Sequence, residues 1–421
     1  MAKHIHKRFK DEEVKALVDK YLAREIEISY VLEILGIKRA RFFRLVKKYR
    51  EDPTGFSIRY TRKKRTRGIS EKLEKNIIKE LRIEKKLIEN EDIPVRFYNY
   101  SYIRDQIFKK YRQRVSLPTI IDRAKKNDFY IPKYDQRKEH DREVLTNYAG
   151  ELIQHDSSYH QWSPYADKKW YLITSLDDHS RLLLYAELLE RETSWAHIIA
   201  LQGVFLRFGL PYCYYVDSHS IFRFVQGRDS IWREHKKVTD DTITQWKQVL
   251  NDCNVKVIHA LSPQARGKVE RPYGWLQDRI VRTCTRENIK TIEQAREVLK
   301  YEMDRYNNQQ IHSTTREIPL VRFERALKEK RSLFREFTIK PPYQSVKDIF
   351  CLRIERVIDP YRRITINNLQ LKVSGAPIRE KVQLRIVPDE ITGIAEVRLW
   401  YQNKLVDVQR VKNSDLGLVY F

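Results

Sequence analysis

The chain has 421 residues, of which 41% are hydrophobic and 33% are charged, and its formal net charge is +25. The hydrophobic content allows folded cores, and the length predicts about two to four domains. A positive charge of this size is typical of proteins that act on polyanions and argues against an ordinary metabolic enzyme. The sequence has no run of about 18 apolar residues, so we expect no membrane span. A polar, basic start predicts no signal peptide, and four scattered cysteines favour a reducing cytoplasm.

The first 148 residues are the more basic part of the chain, with 39 Lys and Arg against 23 Asp and Glu, a net of +16. Residues 1–58 predict three helices, in which a short helix ending at Gly36 is followed by a basic helix. This order is typical of a helix-turn-helix DNA-binding domain. A small helical bundle with a solvated basic face is the alternative. The candidate DNA contacts lie on the third helix and are Arg39, Arg41, Arg44 and Lys48.

A basic linker over residues 59–68 and a second helical domain over 69–132 follow. The linker has six cations in the nine residues 59–67, which predicts either a segment that lies along a DNA groove or a merely solubilising charge run. In the second domain, the last helix is opened by Ser116 and Pro118, which again indicates a DNA-binding module. Residues 133–148 are interpreted as a further linker. The candidate DNA contacts in these segments are Arg62, Lys63, Lys64, Arg65, Arg67, Thr119, Arg123 and Lys126.

Residues 149–330 predict an α/β domain with a mixed sheet. Three β-type runs come first, with a polar connection at 177–181 that indicates a hairpin between the second and third. Thr193 or Ser194 then caps a helix, and strand, helix, strand and helix follow. Asp156 and Asp217 each end a strand in this pattern, and Glu270 lies near the start of the last helix.

These three carboxylates could come together at one end of the predicted sheet. Carboxylate oxygens are the ligands that Mg²⁺ and Mn²⁺ prefer. Two such ions about 4 Å apart can activate a water or a sugar hydroxyl and stabilise the leaving oxygen in phosphoryl transfer. We therefore predict a site for two Mg²⁺ ions, with Mn²⁺ as a substitute and Asp156 between the ions. The alternative is that each carboxylate is an ordinary solvated end of a strand or helix.

Residues 345–421 contain six short β-type runs separated by turns, which predict a small β-barrel. This domain could contact DNA or a partner, or it could be a structural cap. The sequence has no glycine-rich phosphate loop, so no nucleotide cofactor is expected.

The stretch from about 149 to 325 resembles the catalytic core of DDE transposases and retroviral integrases, which have a ribonuclease-H-like fold. The segment Ser262-Pro-Gln-Ala-Arg-Gly-Lys-Val-Glu270 carries the most specific part of this resemblance. Ile153-Gln-His-Asp156, Thr174–Arg181, Tyr215-Val-Asp217 and the pair Tyr306-Asn307 with His312 also match. Many relatives have Asn-Gly after the second Asp and a Glu about 35 residues later. Here Ser218-His-Ser-Ile-Phe222 follows Asp217 and the spacing is longer, which indicates a branch of bacterial insertion sequences.

The resemblance implies a DNA transposase that binds the inverted repeats at the element ends, cleaves at the 3′ end and transfers the strand to target DNA. Asp156, Asp217 and Glu270 would be both catalytic and metal-binding, while His219, Lys268 and Arg271 would contact DNA. A homodimer or higher oligomer on DNA, in a bacterial cytoplasm near the nucleoid, is expected. The alternatives are a catalytically silent DNA-binding regulator derived from a transposase and a nuclease of the same fold that only hydrolyses.

Overall fold

The computed structural model describes residues 5–59, 68–132, 146–217, 219, 221–222, 243–259, 267–367 and 369–417, without the side chains of 267–272. The chain divides into two compact units, Met1–Lys75 and Asn76–Phe421. Among the helices of these described segments, none is long and apolar enough to cross a membrane.

The first unit is built on helices α1 (Asp11–Leu22), α2 (Ile28–Leu35) and α3 (Arg39–Glu51), as the hydrophobic pattern predicts. Gly36 ends α2 in the left-handed conformation, with φ of 58°, which residues with a Cβ adopt only at a cost. This turn separates the short helix from the basic helix α3. The apolar faces meet in a core formed by Val14, Val18, Val31, Leu35, Phe42 and Val46.

A second helical segment precedes the sheet and consists of α4 (Glu71–Glu89), α5 (Tyr100–Tyr111) and α6 (Leu117–Lys126). The side chain of Asn99 caps α5 by accepting a hydrogen bond from the backbone N–H of Tyr102, and Ser116 caps α6 in the same way. Pro118 lies in the first turn of α6, where its missing N–H removes no helical hydrogen bond. The starts of these helices are therefore determined locally.

The central sheet has five strands in the order β3-β2-β1-β4-β5. Strands β1, β2 and β3 are antiparallel neighbours, whereas β4 pairs in parallel with β1 and β5 in parallel with β4. This topology confirms the predicted ribonuclease-H-like mixed sheet. The strands are β1 (Leu152–His160), β2 (Trp170–Asp177), β3 (Leu183–Leu189), β4 (Cys213–Val216) and β5 (Lys256–His259). The helices are α7 (Ser194–Phe208), α8 (Gln245–Asp252), α9 (Gly267–Arg286), α10 (Ile292–Gln309) and α11 (Pro319–Lys328).

Helices cover both faces of this sheet, which explains why its strands are largely apolar. Because successive side chains in a strand point to opposite faces, the neighbours Leu183 and Leu184 enter different cores. Leu184 packs with Trp195 of α7 and Trp246 of α8, whereas Leu183 packs with α9 and α10. The sheet is thus a buried central layer between two layers of helices.

The predicted C-terminal barrel is not confirmed. All six predicted strands form, but β11, β10, β9 and β6 make an open four-stranded antiparallel sheet, and β7 and β8 pair only with each other. Barrel closure needs strands that hydrogen-bond across both edges, and β7 and β8, with four residues each, form a separate ladder instead. The bounds are α12 (Val346–Ile349), β6 (Leu352–Val357), β7 (Arg363–Ile366), β8 (Leu369–Lys372), β9 (Lys381–Asp389), β10 (Ile394–Tyr401) and β11 (Lys404–Lys412).

A buried network of ion pairs joins α4 and α9. Arg282 of α9 pairs with Glu84 of α4, and Arg286 pairs with both Glu84, at 3.3 Å, and Glu80. Glu84 is 0% exposed and Arg282 is 1% exposed. Burial raises the pKa of Glu84 even though both arginines oppose this shift. These ion pairs therefore hold the two helices together, because removing the cation from a buried carboxylate strongly destabilises the folded state.

We expect Arg282→Ala to lower the free energy of unfolding of this unit by about 3 to 5 kcal/mol, because Glu84 loses its main cation while it stays buried. The matched control is Lys109→Ala, since Lys109 forms a 3.2 Å ion pair with Glu287 and both side chains are about half exposed. That pair is expected to contribute less than about 1 kcal/mol. Chemical denaturation of the two variants measures the difference, and equal losses would contradict the assigned role of the buried network.

Candidate active site

Asp156 and Asp217 lie at the same level on two neighbouring parallel strands. In the pairing of β1 with β4, Leu152 is opposite Cys213 and Gln154 is opposite Tyr215, so partners are separated by 61 residues. Asp156 and Asp217 have the same separation, and Asp217 directly follows β4. Neighbouring strands lie about 4.8 Å apart. The continuation of this register therefore puts Asp156 level with Asp217. The prediction that Asp156 ends a strand is wrong, because β1 continues to His160 and Asp156 lies in its middle.

Both carboxylates are half-buried and oriented by the backbone that follows them. The Oδ1 atom of Asp156 accepts a hydrogen bond of 2.9 Å from the backbone N–H of Ser157. The Oδ1 atom of Asp217 accepts one of 2.8 Å from the backbone N–H of His219, an exposed residue. Such local bonds restrict the rotation of a short side chain. The two acidic groups are thus held in defined orientations at the end of the sheet.

Glu270 lies in the first turn of α9, but its side chain is outside the described residues. Tyr273, Leu276 and Ile280 form the buried stripe of α9, as predicted, and fix how this helix packs on the sheet. Val269, the remaining predicted member of the stripe, is also undescribed in its side chain. Tyr273 is three residues after Glu270 and so lies on the same side of the helix.

Tyr273 connects the second turn of α9 to β2, the strand that pairs with β1 at Asp156. The hydroxyl of Thr174 donates a 2.9 Å hydrogen bond to the Tyr273 oxygen, and Thr174 is the cross-strand partner of Asp156. The pKa of Tyr273 lies well above its ordinary value because of burial, and the negative charges of Asp156, Glu192 and Asp217 raise it further. The hydrogen bond to Thr174 therefore brings the second turn of α9 next to the cross-strand partner of Asp156.

Glu192, Tyr273 and a buried histidine pair, His155 and His197, were not among the predicted site residues. Glu192 follows β3 and immediately precedes Thr193, whose side chain caps α7. An acidic residue next to an N-cap, directly after a strand, was the signal that could have identified it. His155 lies next to Asp156 in sequence, but nothing in the local sequence indicates that its ring meets a residue 42 positions later.

The predicted DNA contacts on α3 lie on the surface of the first unit. Arg39, Arg41, Arg44 and Lys48 are all exposed. The guanidinium of Arg39 lies over the ring of Phe43 at 5.7 Å, and Lys48 donates a hydrogen bond to the backbone oxygen of Ser57. These cations can therefore reach a polyanion, although Lys48 is already tied to its own unit.

The predicted contacts on α6 are less uniform. The hydroxyl of Thr119 forms a 2.7 Å hydrogen bond with that of Ser116, and Asp122 pairs with both Arg123 and Lys126. An acidic neighbour reduces the positive potential that these two cations present to a phosphate. Lys268 and Arg271 lie in α9 with undescribed side chains. The predicted linker contacts lie outside the described residues, namely Arg62, Lys63, Lys64, Arg65 and Arg67.

Among the described side chains, no group of three or more His, Cys, Asp and Glu could hold a metal ion. Glu270 is not among those side chains, so the complete set of Asp156, Asp217 and Glu270 stays a prediction. The donors that are described have the right chemistry, because the half-buried carboxylates of Asp156 and Asp217 offer the hard oxygen ligands of Mg²⁺.

The mixed five-stranded sheet, with one acidic residue in the middle of β1 and another directly after its parallel neighbour β4, defines a ribonuclease-H-like domain. In sequence, the chain is similar to bacterial transposases. It is 28% identical over 180 residues to the putative transposase y4bF of Sinorhizobium fredii (strain NBRC 101917 / NGR234), covering 43% of the chain and 38% of the relative. It is 28% identical over 235 residues to the transposase for insertion sequence IS1202 of Streptococcus pneumoniae, covering 56% and 45%. The predicted resemblance to insertion-sequence transposases is thereby confirmed.

The chain spans less than half the length of either relative, and no family model matches it. Among solved structures, the simian T-cell lymphotropic virus intasome in complex with PP2A regulatory subunit B56 gamma matches with a TM-score of 0.35 and 13% identity, over 71% of the chain and 89% of that structure. The HTLV-2 integrase catalytic core domain in complex with magnesium, in its trimeric form, matches with a TM-score of 0.30 and 15% identity, over 43% and 98%. The fold assignment rests on the strand order and not on these scores.

We expect Tyr273→Phe to lower the free energy of unfolding by about 1 kcal/mol, because the buried hydroxyl of Thr174 loses its acceptor while the aromatic packing is kept. Tyr306→Phe is the matched control. Tyr306 is 2% exposed, and within the described part of the chain its hydroxyl has no hydrogen-bond partner, so its removal is expected to cost nothing. Denaturant midpoints compare the two variants, and an equal effect of both substitutions would refute the Thr174–Tyr273 contact.

Proposed function

We propose that the chain is a DNA transposase that binds the ends of a mobile element and catalyses metal-dependent 3′-end cleavage and strand transfer. The observation that supports this proposal is the parallel register of β1 with β4, which extends to Asp156 and Asp217, together with the hydrogen bond from the cross-strand partner of Asp156 to Tyr273, three residues after Glu270. Similarity to bacterial transposases supports the same reaction class. In this proposal the chain is a DDE polynucleotidyl transferase.

Asp156, Asp217 and Glu270 would hold two Mg²⁺ ions, with Mn²⁺ able to replace them. When bound, such ions activate a hydroxyl nucleophile and stabilise the oxygen that leaves phosphorus. The protein contributes fixed carboxylate positions, because Asp156 and Asp217 each accept a hydrogen bond from the backbone that follows them and Tyr273 holds α9 to β2. Lys268 and Arg271 flank Glu270 and His219 follows Asp217, so these residues would orient the DNA phosphates.

The proposed reaction has two transfers at phosphorus. In the first, a water oxygen attacks at the element end, the bond to the 3′ oxygen breaks, and that oxygen leaves as a 3′-hydroxyl. In the second, this hydroxyl attacks a phosphodiester of the target, and the 3′ oxygen of the target strand leaves. One phosphodiester bond forms for each bond broken in the second step, so no nucleotide cofactor is needed. Catalysis then depends on positioning and electrostatics and requires no covalent protein intermediate.

The basic helix α3, the linker 59–68 and helix α6 would hold double-stranded DNA, first the terminal inverted repeats and then the target. Exposed cations on α3 support this part of the proposal. Joining two ends requires at least two active sites, so a homodimer or higher oligomer on DNA follows from the reaction. The place of action would be the bacterial cytoplasm, at the nucleoid.

Asp156→Asn is expected to abolish nicking and strand transfer and to leave DNA binding intact, because an amide is a much weaker ligand for Mg²⁺ than a carboxylate. The same holds for Asp217→Asn and Glu270→Gln. The substrates are labelled duplexes from the DNA that flanks the gene, incubated with Mg²⁺ or Mn²⁺ and resolved on denaturing gels. Near-normal activity of Asp156→Asn would refute the active site. Wild-type products without strand transfer would identify a nuclease, and binding without any product would identify a regulator.

Arg41→Ala and Arg44→Ala are each expected to weaken binding to the end duplex. Each is also expected to reduce the slope of log affinity against log salt by about 1, because a protein with one phosphate contact fewer releases fewer counterions when it binds. Lys20→Ala removes the same charge from an exposed position on α1 and serves as the control. Fluorescence anisotropy at several salt concentrations gives the slopes. A change in Lys20→Ala as large as in the two arginine variants would show that net charge alone governs binding.

A further inference from the structure

A continuous series of buried hydrogen bonds lies behind Asp156. Nδ1 of His155 is 2.9 Å from the Ser175 hydroxyl, and Nε2 of His155 is 2.8 Å from Nδ1 of His197. Nε2 of His197 is 3.1 Å from Oε1 of Glu192, and the hydroxyl of Ser157 donates to this same oxygen. The series therefore leaves β1 at the residue before Asp156 and returns to β1 at the residue after it.

The chemistry of the groups gives this series one direction. The Glu192 carboxylate can only accept, so Nε2 of His197 carries the proton that it donates. A neutral His197 that donates at Nε2 accepts at Nδ1 from the Nε2–H of His155. A neutral His155 that donates at Nε2 accepts at Nδ1 from the Ser175 hydroxyl. All four hydrogen bonds are satisfied in this single arrangement, which ends on the negative charge of Glu192.

The rings in this series have little room to move. Trp246 stacks on His155 with a centroid distance of 5.7 Å, and Phe222 contacts the same ring edge-on at 5.6 Å. His155 and His197 are both almost completely buried. A close-packed environment of this kind transmits a displacement of one residue directly to its neighbours. The two hydrogen-bonded imidazole rings therefore hold β1 at a fixed distance from α7.

Glu192 lies beside the acidic site and not at a distant point of the fold. Its charge acts on the Tyr273 phenol together with the charges of Asp156 and Asp217. Burial would raise the pKa of Glu192, but the hydrogen bonds from His197 and Ser157 outweigh it and lower this pKa overall. Hydrogen bonds donated to a carboxylate favour its ionised form, so His197 and Ser157 offset the effect of burial on Glu192.

We propose that Glu192 is a positioning residue for Asp156. Glu192 holds β1 at the residue after Asp156 through Ser157, and at the residue before it through His197 and His155. This inference rests on the proposed metal-dependent reaction at Asp156. Because successive strand residues alternate between faces, Ser157 and His155 point away from the face of Asp156 and can hold the backbone without occupying the site. Glu192 acts by accepting two hydrogen bonds, and its charge is not itself a metal ligand.

The proposal predicts different effects of Glu192→Gln and Glu192→Ala on Mg²⁺ binding and on cleavage. Glu192→Gln keeps an Oε1 acceptor for His197 and Ser157 but removes the charge, whereas Glu192→Ala removes the acceptor as well. The alanine variant is expected to bind Mg²⁺ about 10-fold more weakly and to cleave up to about 100-fold more slowly, because misplacement of an outer support weakens both metal binding and catalysis. The glutamine variant is expected to stay within about 3-fold of wild type in both measurements, since hydrogen bonding is retained. End binding stays unchanged in both.

Glu190→Ala is the matched control, because Glu190 is an exposed carboxylate two residues away in the same segment. Mg²⁺ affinity is measured by calorimetry on the full chain without DNA, and cleavage with the flanking duplexes. Low-field proton NMR adds a direct signature, since the imidazole N–H resonances of His155 and His197 should persist in Glu192→Gln and weaken in Glu192→Ala. Should Glu192→Ala fail to fold, Ser157→Ala removes one of the two donors and is expected to shift Mg²⁺ affinity in the same direction by a smaller factor.

A glutamine variant as deficient as the alanine variant would overturn the proposal, because the charge of Glu192 would then matter and not its hydrogen bonds. Normal Mg²⁺ affinity and cleavage in Glu192→Ala would overturn it as well. A wild-type chain that forms no DNA products refutes the transposase, but the difference in Mg²⁺ affinity between the two variants would still support the positioning role. The two hypotheses therefore fail in distinguishable ways.

Discussion

The parallel pairing of β1 with β4 is the constraint on which the proposed site depends. Antiparallel neighbours can be joined by a short turn, but parallel neighbours require a crossover, and here β2, β3 and α7 lie between the two strands in sequence. The crossover separates Asp156 from Asp217 by 61 residues and the sheet then returns them to one level. A slip of one residue in this pairing would turn one carboxylate to the opposite face, because side chains alternate along a strand. Ile153 and Tyr214, which are partners in this pairing, hold the register because both are buried in the core on one face of the sheet.

The helix α9 is fixed from two directions. In its second turn, Tyr273 contacts Thr174, the cross-strand partner of Asp156, and about two to four turns later Arg279, Arg282 and Arg286 enter buried ion pairs. These pairs reach α4 and also Asp105 of α5, which accepts from Arg279 at 2.9 Å. A helix that carries a proposed metal ligand at one end is therefore bonded to a proposed DNA-binding segment along its length. If α4 or α5 moved on binding DNA, α9 would move with them, because breaking these buried ion pairs is strongly unfavourable.

The sequence predicts the elements better than it predicts their partners. Hydrophobic periodicity and caps locate the helices α5, α6 and α7, since Asn99, Ser116 and Thr193 act on backbone groups only a few residues away. The six C-terminal strands are found for the same local reason, whereas their arrangement is not, because strand pairing depends on residues far apart in sequence. The pattern of short alternating runs predicts a barrel, and the structure has an open sheet with a separate ladder.

For the site, the predictable part is again what a local pattern encodes. Asp156 and Asp217 are identified as candidates because each follows a β-type run, and the parallel register of β1 with β4 extends to the same level in both. Glu192 accepts a hydrogen bond from Ser157, the residue after Asp156, although Ser157 and Glu192 are 35 residues apart in sequence. The His155–His197 contact spans 42 residues. Neither contact leaves a periodic signal, because each depends on how α7 packs across the sheet.

The acidic pair Asp177 and Asp178 shows why proximity in a family-like motif does not make a metal ligand. Asp177 accepts hydrogen bonds of 2.9 Å from the backbone of Gly150 and of Ser180, and Asp178 accepts from Arg181 at 2.7 Å. These side chains are 0% and 1% exposed, and burial raises the pKa of Asp177 in spite of its donors. They close the connection between β2 and β3, where Arg181 adopts a φ of 67°. A cation and its DNA substrate must arrive from solvent, and only half-buried carboxylates such as Asp156 and Asp217 combine a fixed orientation with access from that side. Asp156 and Asp217 therefore differ from Asp177 and Asp178 in their exposure to solvent, and the number of carboxylates in a motif does not distinguish the two pairs.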